Sequence, residues 1–456
     1  MTPEALDALS KQELIALVLV LAEQNRGLAA QVAALQARLG ELEARLGPPK
    51  TPDNSSLPPS KGDKASRPNK AAKPRQGRPG VTRQLAEHPD QVREVFAVTC
   101  AGCGHALAPG AQMEVTQAYD HIELPPLKPV TTRVQLHAGT CPCCGERVTA
   151  TPPADMPLGS PFGPGLVAVV VYLHTRHMVS YSRLTELLEG LFGLSVSEGA
   201  IANMLARAAE PFAAEAERIE AALRQAPVIA CDETSARVKG QTCWQWVFGS
   251  ATAVAHRIAS SRAAAVVADF LQGATPEVWV SDRYGAQSGH GQAHQLCLAH
   301  LLRDAQYAID AGDRVFAPGF RHLLTRALAI GRRREALVQS TLVAYRRDLE
   351  RRLDRLLACE PTTPAGRKLR TAIAKCRDKL FVFVTRRDVP ATNNGSERAL
   401  RPSVIFRKVT NGFRSGWGAG LYAAICSVIA TAALHGLTAL EAIRACLAGQ
   451  SVLKPA

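Results

Sequence analysis

The chain has 456 residues, 46% hydrophobic and 21% charged. That is ordinary globular composition, long enough for about three domains, and it excludes a wholly disordered or fibrous protein. Lys and Arg number 54 against 40 Asp and Glu, and the net charge of +14 points to a polyanion or an acidic surface without separating nucleic acid from membrane.

The excess is concentrated. Residues 47–80 carry +6 and residues 321–408 carry +14, so the rest of the chain is mildly acidic. Two basic segments on an acidic body read as nucleic-acid contacts. The first residues lack the basic region and cleavage site of a secretory signal. The longest apolar run, 421–434, is shorter than the roughly 20 residues of a membrane-spanning helix and reads as a buried helix, so no membrane partner is expected. Twelve cysteines are too sparse for a disulfide scaffold. A reducing, cytoplasmic setting follows, in which clustered cysteines are metal ligands before they are disulfides.

Residues 1–47 hold a heptad seam of Leu14, Leu17, Leu21, Gln24, Leu28, Val32, Leu35, Leu39, Leu42 and Leu46, with one stutter near Leu28. It predicts a coiled-coil, leucine-zipper-like helix that joins copies of the chain into a homo-oligomer. The alternative is an amphipathic helix docked on its own protein. Residues 48–80 are rich in proline and nearly devoid of large apolar side chains. They cannot bury a core, and they read as a flexible basic linker that adds salt-sensitive affinity for phosphates or serves as a spacer.

Residues 81–155 contain two C-x-x-C pairs, Cys100 with Cys103 and Cys141 with Cys144. Each can form a knuckle presenting two thiolates, and two knuckles complete a tetrahedral, structural Zn²⁺ site. The segments YDHIEL (119–124) and TTRVQLHA (131–138) read as strands that would bring the knuckles together, a zinc-ribbon-like module. Cys143 is an extra thiol and His105 or His137 a substitute ligand; four unrelated thiols are the alternative. Residues 156–226 read as helical. YSRLTELLEGLFG ends at Gly193 and Ser197 caps a second helix, a spacing that fits a helix-turn-helix DNA reader or a plain helical hairpin.

Residues 227–420 change character. The run Val228 to Asp232 ends in an acid, 243–248 and 254–258 are further strand candidates, 262–271 is helical, and 277–282 is a strand ending in Asp282. The order suggests a mixed sheet whose first and fourth strands are parallel, which would set both acids at one sheet edge. Two carboxylates there, joined by a third, can hold two divalent cations, Mg²⁺ or Mn²⁺. Either acid alone is more simply a cap or a surface ion pair. Glu233 is turned to the opposite face by strand alternation. In QLCLAHLLR (295–303), read as helix, His300 either orients a carboxylate, contacts DNA with Arg303, or fills the core. A helical insertion, about 312–387, has too few acids to neutralise its arginines and so reads as lying along DNA. In TNNGSERALRP (392–402), Glu397 sits in the first turn of a helix stopped by Pro402, with Arg398 and Arg401 beside the phosphate path. Residues 421–456 form a C-terminal helical segment.

The heptad helix, NSS and PPS in the linker, IELPPLKP, CPCCG, CDET, VSDRYGA, CLAHLLRDA and TNNGSERALRP resemble, in this order, the large subunit of bacterial insertion-sequence transposases of the IS66 type. The resemblance runs from about Leu14 to the end. It implies an α/β ribonuclease-H-like catalytic domain with an Asp-Asp-Glu triad, which maps onto Asp232, Asp282 and Glu397. It also implies Mg²⁺-dependent cleavage at terminal inverted repeats, attack of the freed 3′-hydroxyl on target DNA, and a bacterial, nucleoid-associated location. A DNA-binding protein without catalysis and a ribonuclease-H-like nuclease without strand transfer are the competing functions.

Overall fold

The computed structural model describes residues 10–55, 83–108, 114–125 and 127–454. The linker expected over 48–80 therefore lies outside the described residues beyond Ser55. The chain divides into two compact units: 1–63, 158–181 and 199–456 make one, and 64–157 with 182–198 make the other.

The first unit begins with α1 (Lys11–Leu46), a single helix over the heptad seam. Its apolar positions face solvent, Val18 at 62%, Leu28 at 58% and Leu35 at 67% exposure. After α1 the chain turns and is pinned at Asn54, which is buried. Its side-chain amide donates to the Pro49 carbonyl at 3.1 Å and to Asp310 Oδ2 at 2.9 Å, and its Oδ1 accepts from Thr51 N at 2.7 Å.

In the second unit two three-residue strands, β1 (Ala138–Thr140) and β2 (Arg147–Thr149), pair antiparallel. The strand expected over 119–124 is absent, and of 131–138 only Ala138 is in a strand. The alternating apolar residues there, Ile122 and Leu124 among them, are exposed. Alternation alone, with no partner face to bury against, does not make a strand.

The helices α2 (Pro164–Arg176), α3 (Tyr181–Phe192) and α4 (Glu198–Arg224) follow. The expected stop at Gly193 and restart after Ser197 are observed, and α4 then runs 27 residues.

The site-bearing sheet has five strands in the order β5-β4-β3-β6-β7. They are β3 (Val228–Val238), β4 (Gln241–Gly249), β5 (Val254–Ala259), β6 (Val278–Ser281) and β7 (Ala293–Leu296). β3, β4 and β5 pair antiparallel, while β6 runs parallel to both β3 and β7. The parallel pairing of first and fourth strands is as the sequence suggests. β7 corrects the helical reading of 295–303: Gln295 and Leu296 finish a strand and α6 (Leu298–Asp310) starts only after Cys297. The side chain of Gln295 explains it, for its amide bridges the Leu296 and Leu380 carbonyls and the Phe383 N–H inside the core.

Period-two alternation splits the core between the two faces of the sheet. Val278 and Val280 of β6 pack with Leu296 against the insertion, whose helices are α7 (Phe316–Arg333), α8 (Gln339–Leu357), α9 (Pro364–Ala374) and the single turn α10 (Val382–Thr385). Trp279 faces the other way, toward Phe248 and Phe270, whose rings stack at 3.7 Å; Phe270 belongs to the crossover helix α5 (Ala264–Leu271). Within the insertion, buried Asp313 caps α7 through Ala317 N at 2.8 Å and accepts from both Thr362 N and its hydroxyl at 3.0 Å, which clamps the α8–α9 loop.

Part of the insertion's arginine charge is engaged within the fold. Arg326, Arg346, Arg352, Arg370, Arg377 and Arg386 form ion pairs with acids, and Arg334 donates to the carbonyls of Phe383, Val389 and Arg387. Much of that charge holds the insertion together.

Two further helices complete the sheet unit: α11 (Asn394–Thr410) and α12 (Gly416–Leu434), followed by α13 (Ala439–Leu447). Pro402 does not stop α11; it costs one i→i−4 bond, and buried contacts of Leu400, Ser403 and Phe406 carry the helix through it. The expected boundary at 420/421 falls inside α12, which is part of the sheet unit. Among the described residues α12 is the one helix long and apolar enough to cross a membrane. Here it covers the edge strand: Thr431 Oγ1 accepts from Val254 N and donates to Val254 O, and Ser427 Oγ accepts from His256 N. Those two hydroxyls satisfy β5 where a sixth strand would otherwise add.

Candidate active site

The register of β3 with β6 pairs Val228 with Val278 and Ala230 with Val280. Continued by two residues, it sets Asp232 opposite Asp282, both half-buried. Asp282 follows the last residue of β6, whereas Asp232 lies within β3, which does not end at this acid but runs on to Val238 paired with β4. Each is oriented by a backbone donor: Asp232 Oδ1 accepts from Glu233 N at 2.9 Å, and Asp282 Oδ1 from Tyr284 N at 2.8 Å. Burial, and then the neighbouring charges of Glu233 and Asp282, push the Asp232 carboxyl up to about 7. The protein has thus gathered more negative charge at this edge than it neutralises.

Glu397 arrives on the first turn of α11, where the helix dipole favours an acid. Asn393 fixes that turn. Its backbone N–H donates to Cys297 Sγ at 3.1 Å and its side-chain amide to the Cys231 carbonyl at 2.7 Å, so the start of α11 is tied both to α6 and to the residue before Asp232. Cys297 N in turn donates to Ser281 O at 2.8 Å, and Leu298 N to Ala391 O at 3.1 Å. All three acid-bearing segments are knotted through one set of bonds.

His300 meets a carboxylate. Its Nε2 lies 3.0 Å from Glu397 Oε1. That bond raises the imidazole and lowers the Glu397 carboxyl, so both favour the charged pair. Arg303, half-buried one turn on, adds positive charge felt by both. Arg398 and Arg401 are exposed beside Glu397 and form no ion pair among the described residues.

Glu233 does not join the acids. Arg262 donates to its Oε1 at 2.6 and 2.9 Å and Gln287 to its Oε2 at 2.7 Å. The same guanidinium lies 3.9 Å over the Tyr284 ring and 4.7 Å over Trp244. This cluster braces the loop after Asp282 against the strand carrying Asp232. Sequence reasoning missed Arg262, Gln287 and Tyr284, because partners 29 and 54 residues from Glu233 leave no local signal.

The residues fit a hard cation in part. Asp232 and Asp282 are adjacent, and two buried oxygens at the start of α11, Asn393 Oδ1 and Ser396 Oγ, have no hydrogen-bond partner. Among the described residues no group of three or more His, Cys, Asp or Glu side chains is gathered in a metal-holding arrangement, because Glu397 is turned to His300.

The same holds for the four cysteines, although each pair forms its knuckle. Cys100 N donates to His105 O at 2.8 Å and Gly104 N to Cys100 O at 2.9 Å; Cys141 N with Glu146 O and Gly145 N with Cys141 O repeat the pattern at the same lengths. In both loops, backbone N–H groups of the second cysteine and its predecessor lower the first thiol.

The protein-family model for the IS66 transposases matches residues 159–420, more than half of the chain. The chain belongs to the IS66 transposase family. A search of curated proteins finds no match. The match to the IS66 family spans all three acids, Asn393, His300 and the insertion, and it ends just inside α12. IS66 transposases act on DNA.

Proposed function

We propose that the chain is an Asp-Asp-Glu transposase that binds the terminal inverted repeats of an insertion sequence and performs metal-dependent strand cleavage and strand transfer. The observation that carries it is the in-register placement of Asp232 and Asp282 on adjacent parallel strands, with Glu397 tied to β3 through Asn393. A divalent cation held by these carboxylates would supply Lewis acidity to activate the attacking oxygen and stabilise the leaving one. Water would attack the scissile phosphorus and the P–O3′ bond break, leaving a 5′-phosphate and a 3′-hydroxyl; that hydroxyl would lose its proton and attack a target phosphate, whose own P–O3′ bond breaks to release a protonated target 3′-hydroxyl. The chain's own part is positional. His300 keeps Glu397 ionised and aimed, Asn393 holds the helix that delivers it, and Arg303, Arg398 and Arg401 face the phosphates with fixed positive charge.

The purified chain, given Mg²⁺ and a duplex bearing the element's inverted repeats, is expected to release 3′-hydroxyl ends and to join them to target DNA; Asp282→Asn should do neither. Binding without cleavage would instead support a DNA-binding protein without catalysis, and nicking without joining a nuclease.

Two assembly features belong to the same reading. Zn²⁺ would close the knuckles of Cys100, Cys103, Cys141 and Cys144, a donor set suited to a structural site. The uncovered apolar stripe of α1 would pair with a second copy. Reduced protein should contain about one zinc per chain and have the native mass of a dimer or larger. A metal-free preparation that keeps its fold, or a monomeric mass, would remove the corresponding claim.

A further inference from the structure

The outer face of α11 and the turn beyond it carry cations that form no ion pair among the described residues. Between Glu397 and Glu441 the sequence has no Asp or Glu. The inner face of α11 is spoken for: Ser396, Leu400, Ser403 and Phe406 are buried, and Arg407 bonds to Ser235. At 3.6 residues per turn, Glu397, Arg401, Ile405 and Lys408 fall on the opposite face, with Arg398 and Val409 beside them. Ile405 is 44% and Val409 60% exposed.

At the far end, a second element converges on this strip. α11 ends at Asn411, in the left-handed conformation, and Gly412 follows at φ +105, where an added Cβ would lie 2.6 Å from the Arg237 carbonyl. That close approach lets Phe413 pair with the β3–β4 hairpin: Phe413 N donates to Arg237 O and Lys239 N to Phe413 O, both at 2.8 Å. Exposed Arg237 and Lys239 are thereby set beside exposed Arg414, and Trp417 is 49% exposed at the start of α12. Among the described residues Arg398, Arg401, Lys408, Arg414 and Lys239 form no ion pair, unlike Arg326, Arg352 and Arg377 of the insertion.

We propose that this strip is a duplex-DNA surface, along which DNA passes from the acids over α11 to the tip of the β3–β4 hairpin. It rests on reading the acids as the strand-transfer site. From Glu397 to Lys408 the helix rises about 16 Å, roughly five base pairs. Arg401, Lys408, Arg414 and Lys239 meet phosphates, while Ile405, Val409 and Trp417 meet sugars and base edges, giving binding without sequence preference. A protein partner would cover the apolar residues only by burying the cations around them, which is costly unless each finds an acid. A polyanion satisfies all of them at once.

The test is equilibrium binding of the full-length chain to a fluorescein-labelled duplex of about 30 base pairs and arbitrary sequence, across a salt series. The Lys408→Ala/Arg414→Ala variant is expected to bind about tenfold more weakly near 0.1 M salt, with the slope of log affinity against log salt shallower by about two. Trp417→Ala should weaken binding and leave the slope unchanged. Lys368→Ala/Lys375→Ala removes the same charge from the insertion and should stay within about twofold of the parent. The proposal is overturned if the Lys408/Arg414 variant binds like the parent or like the insertion control. It is equally overturned if Trp417→Ala changes the native mass and not the DNA affinity, which would make the strip a protein interface. Asp232→Asn separates the two readings. If it stops cleavage while the parent's duplex binding is indifferent to Lys408 and Arg414, the catalytic reading stands and this one falls.

Discussion

Asp232→Asn is expected to stop cleavage and joining, by more than about a thousandfold, and at the same time to stabilise the metal-free chain above neutral pH. The loss follows from removing the carboxylate at the centre of the acid edge. The gain follows from its titration. The carboxyl is raised to about 7 by burial and by the charges of Glu233 and Asp282, so the folded chain holds a proton there that the unfolded chain has already released. Stability from this group is therefore full below the unfolded value near 4, falls as pH rises, and is wholly lost above about 7. Asparagine keeps an Oδ1 acceptor for Glu233 N and cannot ionise. Thermal midpoints measured from pH 5 to pH 8 in chelator should fall for the parent and stay flatter for the variant. Adding Mg²⁺ at pH 8 should raise the parent's midpoint much more than the variant's. Parallel pH profiles for the two proteins would overturn the assignment of the raised group to Asp232.

The second large effect is expected at Asn393, which ties the first turn of α11 to β3 and α6. Asn393→Ala leaves the buried Cys231 carbonyl without its donor and frees the first turn of α11 from β3. An unpaired buried acceptor costs about 1–3 kcal/mol, visible as a lower midpoint in urea. The larger consequence is positional, because a shift of about 1 Å at Glu397 can lower the joining rate about a hundredfold. A merely structural role would lower the midpoint alone, so the rate of joining well below the unfolding temperature is the deciding measurement. A variant that joins at the parent's rate would show that α11 is held in place by its packing on the sheet.

Some of this site could be read from residues in order along the chain. Asp232 and Asp282 end apolar runs of strand length, and a helical stretch between the strands forced a parallel pairing; local pattern carries that much. Glu397 was legible as a helix-start acid, and its partnership with His300 was one of three open readings until the structure brought them to 3.0 Å. What could not be read is everything that depends on partners far apart in sequence. Gln295 looks helical beside CLAHLLR, yet its backbone pairs with Val280 of β6 and its side chain reaches Leu380 and Phe383, 85 and 88 residues away. Pro402 looks like a stop until the buried side chains around it are known. The arginines of the insertion look like a DNA-binding surface by composition, yet Arg334 is consumed by four main-chain carbonyls of the α10 region. Charge counted along a chain does not distinguish a cation that faces solvent from one that closes a fold.

Asn54 gives the first helix a mechanical connection. The residue is bonded to Asp310, the last residue of α6, and His300 stands ten positions earlier on that helix, about 15 Å away along its axis. α1 itself is about 54 Å long, a lever whose base is bolted to the rod that grips Glu397. In an assembly closed through α1, tension between two copies would pass through the turn at residues 47–53 and reach α6 at Asn54. The position of Glu397 in one copy would then answer to the presence of the other.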